Sequence, residues 1–242
     1  MVALVPSIIT IFALLAGLTA VRFAIEERPG MAVAAIIVAA LADGMDGRMA
    51  RLLNSTSRFG AELDSLADFV SFGVAPALVI HQWTLEDARG PGWAAVLFFA
   101  TCAALRLARF NAEIDPPAPP AAWRRNFFTG VPAPAAGLLA MFWLYLTLAT
   151  GWEFCTSPWI NGVWLVLVGL LMISRLPSYS VKKARLRRDL VLPAILGVAL
   201  IAAAIVSLTW WSLVAISLAY LASLPLAWRS AGHMQREAEA AG

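Results

Sequence analysis

Four aspartates stand at helical spacing in a stretch that is otherwise small and apolar. Asp43 and Asp46 are three residues apart and Asp64 and Asp68 four apart, so each pair shares one face if its segment is helical. The connection Leu53–Ser57 is short enough to turn the second segment back against the first. Four carboxylates meeting in a half-dry setting repel one another unless protons or cations intervene. Hard oxygen ligands of this kind select a divalent ion, Mg²⁺ or Mn²⁺. A divalent ion held there could in turn grip phosphate oxygens. A purely structural ion-pair network is the competing reading, but Arg48, Arg51 and Arg58 are too few and too peripheral to neutralise all four acids. Gly44, Gly47, Ala50 and Gly60 line the same faces, leaving room that a planar base or a diphosphate could occupy, although small residues also serve close helix packing. Arg51, one turn beyond Gly47, can pair a phosphate oxygen bidentately.

The elements that must carry these residues are membrane helices. The chain has 242 residues, 61% of them hydrophobic and 14% charged, with mean hydropathy +0.77. An ordinary globular domain is about 45–50% apolar and about 25% charged, so the polar surface needed to face water is missing. A disulfide scaffold, a nucleic-acid-binding domain and a disordered regulator are excluded by the same numbers. With about 20 apolar residues per span, the sequence divides into about eight candidates, roughly 4–25, 31–52, 60–81, 93–112, 132–151, 158–176, 189–207 and 209–228. The fold class expected is therefore all-α, a polytopic helix bundle. Continuous apolar runs disfavour strands, and lipid demands that every backbone group be satisfied internally. The first segment is read as a mature helix, since it lacks a basic leader and is too long for a signal core. Residues 1–229 read as a single transmembrane catalytic domain and 230–242 as a short, frayed polar tail.

Charge sets the expected orientation. If the N-terminus is cytoplasmic and the spans alternate, fifteen of the 18 Lys and Arg fall on inside segments, and only Arg22, Arg28 and Arg89 fall outside. That bias predicts both termini, and the aspartates, on the cytoplasmic side. Trp83, Trp93, Trp152, Trp159, Trp210 and Trp211 fall at the outer ends, where an amphipathic ring is comfortable. The stretch from Ala112 to Val131 holds Pro116, Pro117, Pro119 and Pro120 and predicts an extended inner loop. Cys102 and Cys155 read as small buried hydrophobes, and neither His81 nor His233 has a partner at metal-ligand spacing.

The order Asp43-x-x-Asp46-Gly47-x-x-Ala50-Arg51, eight residues, then Gly60-x-x-x-Asp64-x-x-x-Asp68 resembles the signature of the CDP-alcohol phosphatidyltransferases at every specified position. The resemblance implies transfer of a phosphatidyl group from a CDP-activated lipid to an alcohol, with release of CMP and with divalent metal as cofactor. It implies metal ligation by Asp43, Asp46 and Asp64. Asp68 would be the base, near a second metal, and Gly47, Ala50, Arg51 and Gly60 would cradle the nucleotide. Pro6 and Thr10 in the first span join that nucleotide set by the same likeness. Further stretches, Arg58–Pro76, Arg106–Asn111, Phe128–Pro134 and Ser174–Lys183, resemble the bacterial and archaeal phosphatidylserine synthases, a branch of the family. This branch implies CDP-diacylglycerol and L-serine as substrates, a homodimer among membrane lipids, and the inner membrane of the cell as location.

A serine acceptor carries a carboxylate, and Arg106, Arg109, Asn111 and Lys182 supply cations and a polar partner for it or for the donor's phosphates. Arg185, Arg187 and Arg188 read instead as a basic run facing anionic headgroups. Other acceptors, glycerol 3-phosphate or inositol phosphate, remain open, and would draw on Arg124 and Arg125 as well. An ion-coupled transporter is the reading from another class, since acidic groups inside a membrane also mark ion pathways. It would need carboxylates near the midplane and a repeated, inverted pattern of spans, which the sequence does not show.

Overall fold

The computed structural model describes residues 5–52, 57–112, 127–174, 176–179 and 207–240. The helices are α1 (Val5–Ile25), α2 (Pro29–Leu52), α3 (Arg58–Asp68), α4 (Ala75–Trp83), α5 (Arg89–Ala112), α6 (Ala133–Ala140), α7 (Phe142–Thr150), α8 (Pro158–Ile173) and α9 (Thr209–Ala240). Five described spans are long and apolar enough to cross a membrane singly, and α6 with α7 makes a sixth, bent by 41°. The protein is a polytopic membrane helix bundle. Seven of the eight expected spans are helical; residues 189–206 of the expected span 189–207 lie outside the described residues, as do Lys182, Arg124, Arg125 and the run Arg185–Arg188.

α1 and α2 form an antiparallel hairpin. Ala13, Ala20 and Ala24 on one helix and Ala32, Val33, Ile36 and Ala39 on the other are buried, a spacing of three, four and seven that keeps small side chains on the facing stripes. Lipid tails offer no hydrophobic drive between helices, so such close van der Waals approach is what holds them. Between the two helices the chain turns on Glu27, which takes φ 56°. The Glu27 amide donates to the Ala24 carbonyl at 3.0 Å and the Arg28 amide to the Phe23 carbonyl at 2.9 Å. This is the double bond pattern of a helix closed by a left-handed residue.

The third span runs from Arg58 to Trp83 and is not one uniform helix: Phe69–Val74 is a π-helical turn between α3 and α4. Its cause is legible in the chain, because Pro76 has no amide to donate to the Phe72 carbonyl and its ring would crowd that carbonyl in a regular helix. The turn is gripped by small residues of three neighbouring helices. A Cβ added at Gly17 of α1 would lie 2.8 Å from the Ser71 Cα, and one added at Gly137 of α6 would lie 3.1 Å from the Phe72 Cα. Gly73 itself sits against Ala103 of α5, and the Ser71 hydroxyl donates to the Ala13 carbonyl at 3.2 Å.

The remaining helices close around Phe72, Phe99, Leu139, Met141, Leu144, Tyr145, Leu165 and Met172, all fully buried. At the bend after α6, the Trp164 indole on α8 donates to the Leu139 carbonyl at 2.8 Å, taking up a group that the break frees from the helix ladder. Residues Phe127–Thr129 and Pro177–Tyr179 pair as a short antiparallel ribbon, Phe128 opposite Ser178. The all-helical expectation holds for the bundle, with this ribbon added at the end of the bundle where α8 finishes. α9 continues to Ala240, past the expected span end at 228, because Ala, Glu and Arg are strong helix formers. Cys102 and Cys155 are buried and free, as expected.

Candidate active site

α2 and α3 place the aspartates. Ser57 starts α3: it is extended, and its hydroxyl accepts the Gly60 amide at 2.9 Å, capping one of the unpaired donors of the first turn. Asp64 and Asp68 therefore follow at one and two further turns down the helix, facing α2. One carboxylate oxygen from each of Asp43, Asp64 and Asp68 lies within 4.8 Å of the others. Asp43 and Asp68 are in hydrogen-bonding contact.

Asp46 belongs to the same neighbourhood but is turned toward α1. It is buried, and its Oδ2 accepts the Thr10 hydroxyl at 2.8 Å, an oxygen that also lies 3.0 Å from the Pro6 carbonyl. Thr10, expected at the nucleotide, is thus a partner of an aspartate. The spacing in the sequence could not show this, because it depends on how α1 packs against α2.

The set fits a divalent cation. Asp64 Oδ1 is buried and has no hydrogen-bond partner. Among the described side chains no Lys, Arg or His comes within 4.0 Å of the four carboxylates; the ion pairs found are Arg22–Glu26 and Arg28–Glu26. A buried, unpaired anionic oxygen is costly unless a cation meets it, and three convergent carboxylates are what a hard metal ion binds. Beside them the surface is open: a Cβ added at Gly44 or Gly47 meets nothing within 4 Å, while at Gly60 it meets only the Ser57 hydroxyl at 3.1 Å. The side chains of Ala50 and Arg51 lie outside the described residues, although both belong to α2.

The four residues expected at the acceptor separate. Asn111 Oδ1 accepts the Ser65 hydroxyl at 3.0 Å, which ties the end of α5 to α3 one residue from Asp64. Arg106 faces Asp68 and Tyr220 of α9 electrostatically, and its Nε is buried without a hydrogen bond. Arg109 points elsewhere, donating to the Ile173 carbonyl at the end of α8 at 3.1 Å. Lys182 lies outside the described residues. Tyr220 is a residue that the sequence did not single out, since nothing local distinguishes it from an interfacial tyrosine.

An aspartate cluster on two consecutive spans, open on one side and without an ion pair among the described residues, is suited to hold a metal ion against phosphate oxygens. Residues 3–178 match the family described as CDP-alcohol phosphatidyltransferase, and residues 189–225 match the one described as CDP-alcohol phosphatidyltransferase 2. The chain belongs to the CDP-alcohol phosphatidyltransferase family, whose members generally depend on divalent metal. It is similar to the CDP-diacylglycerol–serine O-phosphatidyltransferase of Mycobacterium leprae, 41% identical over 224 residues, 93% of this chain and 74% of that protein. Proteins of the same name from Helicobacter pylori (35% over 185 residues, 75% of this chain and 74% of that protein) and Methanocaldococcus jannaschii (36% over 149 residues, 61% and 64%) are also similar.

Proposed function

We propose that this chain transfers the phosphatidyl group of CDP-diacylglycerol to the hydroxyl of L-serine, giving phosphatidylserine and CMP. The observation that carries the reading is the convergence of Asp43, Asp64 and Asp68 with an unpartnered buried Asp64 oxygen, on a chain whose relatives bear that activity in their names. Asp43, Asp46 and Asp64 would hold a divalent ion, Mg²⁺ or Mn²⁺, with Asp68 at the edge of the set. When bound, that ion supplies positive charge to the diphosphate and to the leaving CMP.

The protein's own groups do the rest. Asp68, beside Asp43 and within the field of Arg106, takes the proton of the serine hydroxyl. The serine oxygen forms a bond to the lipid-side phosphorus as the bond from that phosphorus to the CMP oxygen breaks in line. No covalent enzyme intermediate is needed. Arg106 offers a guanidinium to the serine carboxylate, while Asn111, fixed by Ser65, and the open side beside Gly47 frame the pocket. Pro6, Ala50, Arg51 and Gly60 would border the cytidine diphosphate, and Arg109 and Lys182 would hold lipid phosphate.

The same reading puts residues 1–229 in one catalytic domain ahead of the polar tail 230–242, in the cytoplasmic membrane with the aspartates facing the cytoplasm. Two features support it: the inside excess of Lys and Arg, and the course of α9, whose Trp210 packs at Gly30 on the end of the bundle away from the aspartates. The chain would work as a homodimer. The test is CMP release by detergent-purified protein given CDP-diacylglycerol and Mn²⁺ with either serine or glycerol 3-phosphate. Release with serine is expected; release with glycerol 3-phosphate alone would replace the acceptor.

A further inference from the structure

The last helix, far from the aspartates in sequence, comes back to them in space. Two atoms of the Trp210 ring at the start of α9 lie 3.4 Å from where a Cβ on Gly30 of α2 would stand, so the two helices begin at the same level. At 1.5 Å per residue, Asp43 lies about 20 Å along α2 from Gly30 and Tyr220 about 15 Å along α9 from Trp210. Tyr220 thus reaches to within about one turn of the aspartates. Leu213, Ser217, Leu224 and Ala227 are buried, a spacing of four, seven and three that marks the face α9 turns inward, and Tyr220 lies on that face. Its hydroxyl oxygen is buried, while the residue as a whole is half-buried.

Arg106 of α5 stands between this tyrosine and Asp68, in the field of both. The Arg106 Nε is buried and donates no hydrogen bond, and among the described residues no carboxylate oxygen comes within 4.0 Å of the guanidinium. A buried charged donor that no protein group accepts is costly until an anion meets it. Arg109, the next cation along α5, is turned to the Ile173 carbonyl at 3.1 Å. Among the described residues this place therefore holds one positive charge, which balances a carboxylate and falls short of a phosphate dianion. Asp68 repels an incoming carboxylate, so the side of Arg106 toward Tyr220 is the favoured one. A phenol keeps its proton at neutral pH and can donate there.

We propose that Tyr220 is a specificity residue of the acceptor site, its hydroxyl donating to the serine carboxylate that Arg106 receives. This role rests on serine as the acceptor and adds a residue from a span that the aspartate motif does not reach. In serine only the α- and β-carbons separate the carboxylate from the hydroxyl, so a carboxylate held by Arg106 and Tyr220 leaves the hydroxyl toward Asp68. Guanidinium and phenol together offer donors to both carboxylate oxygens. An alcohol without the carboxylate leaves these buried donors unmet and is rejected for that reason.

The test measures CMP release by the detergent-purified full chain with CDP-diacylglycerol and Mn²⁺ while serine is varied. Loss of one hydrogen bond to a charged acceptor should raise the KM for serine in Tyr220→Phe by at least about tenfold. A group that binds substrate and transition state alike leaves kcat in place when removed, so kcat, the KM for CDP-diacylglycerol and the thermal midpoint should stay within experimental scatter of the parent. Ser217→Ala, one turn away on the same face, should leave all four unchanged. An unchanged serine KM in Tyr220→Phe, with the parent active on serine, would overturn the role of Tyr220 alone. A fall in kcat and midpoint together, with both KM values moving alike, would reduce Tyr220 to packing. A parent that releases CMP with glycerol 3-phosphate and ignores serine would overturn the acceptor itself, and Tyr220 with it.

Discussion

The Thr10 hydroxyl on α1 lies 2.8 Å from Asp46 Oδ2 on α2, so an aspartate of the cluster is oriented by the first span. A hydrogen bond to a charged acceptor contributes about 1.5–3 kcal/mol, and loss of a partner that orients a metal ligand typically costs about 10–100-fold in metal affinity or activity. Thr10→Val should raise the Mn²⁺ concentration for half-maximal CMP release by about tenfold or more, and Thr10→Ser should restore it. An unchanged metal activation curve in Thr10→Val would show that the contact orients nothing.

Asp43 and Asp68 touch, yet the reading gives them different work, and substitution should separate them. Asp68→Asn keeps the shape but cannot take a proton, so turnover should fall by about 10²–10⁴-fold with metal-dependent CDP binding largely kept. Asp43→Asn should weaken that binding as well. Calorimetric titration of CDP in the presence of Mn²⁺, set beside CMP release, reads both. Normal turnover by Asp68→Asn would remove it from the role of base.

What could be read ahead of the structure follows from how local each cause is. Asp43 through Asp68 were legible because their spacing fixes a shared helix face whatever surrounds them. Spans such as 4–25 and 93–112 emerged close to α1 and α5 because length and apolarity alone decide them. The π turn inside the expected span 60–81 was not legible, since it is held by Gly17 and Gly137 arriving from other helices. The Thr10–Asp46 and Arg106–Tyr220 relations were out of reach, since each joins residues whose meeting is set by the packing of distant spans. The partner of Arg109, the Ile173 carbonyl at the end of α8, was likewise out of reach, because it lies on a span 64 residues further along the chain.

The π turn that follows Asp68 is held by close backbone approach, which makes Gly17 sensitive. A methyl there would sit 2.6 Å from the Ser71 Oγ and 2.8 Å from the Ser71 Cα, and backbone cannot swing aside as a side chain can. Overpacking of this kind costs about 1–3 kcal/mol. Gly17→Ala should therefore lower the thermal midpoint in detergent and reduce turnover, whereas Gly44→Ala, which meets nothing within 4 Å, should leave the midpoint unchanged. Equal midpoints for the two variants would show that α1 does not support the turn.

Gly47 offers the converse test, because it stands in open space on the aspartate helix between Asp46 and the rest of the motif. Since a Cβ there meets nothing within 4 Å among the described residues, Gly47→Leu should still fold, which its thermal midpoint in detergent reads. The same side chain would project into the space beside the carboxylates that the cytidine diphosphate is proposed to fill. CDP affinity should then fall by at least tenfold, about 1.4 kcal/mol, with Gly47→Ala intermediate. Mn²⁺ binding to the nucleotide-free protein should change little. A Gly47→Leu protein that binds CDP as the parent does would put the nucleotide on another face of α2 and detach the open side from the reaction.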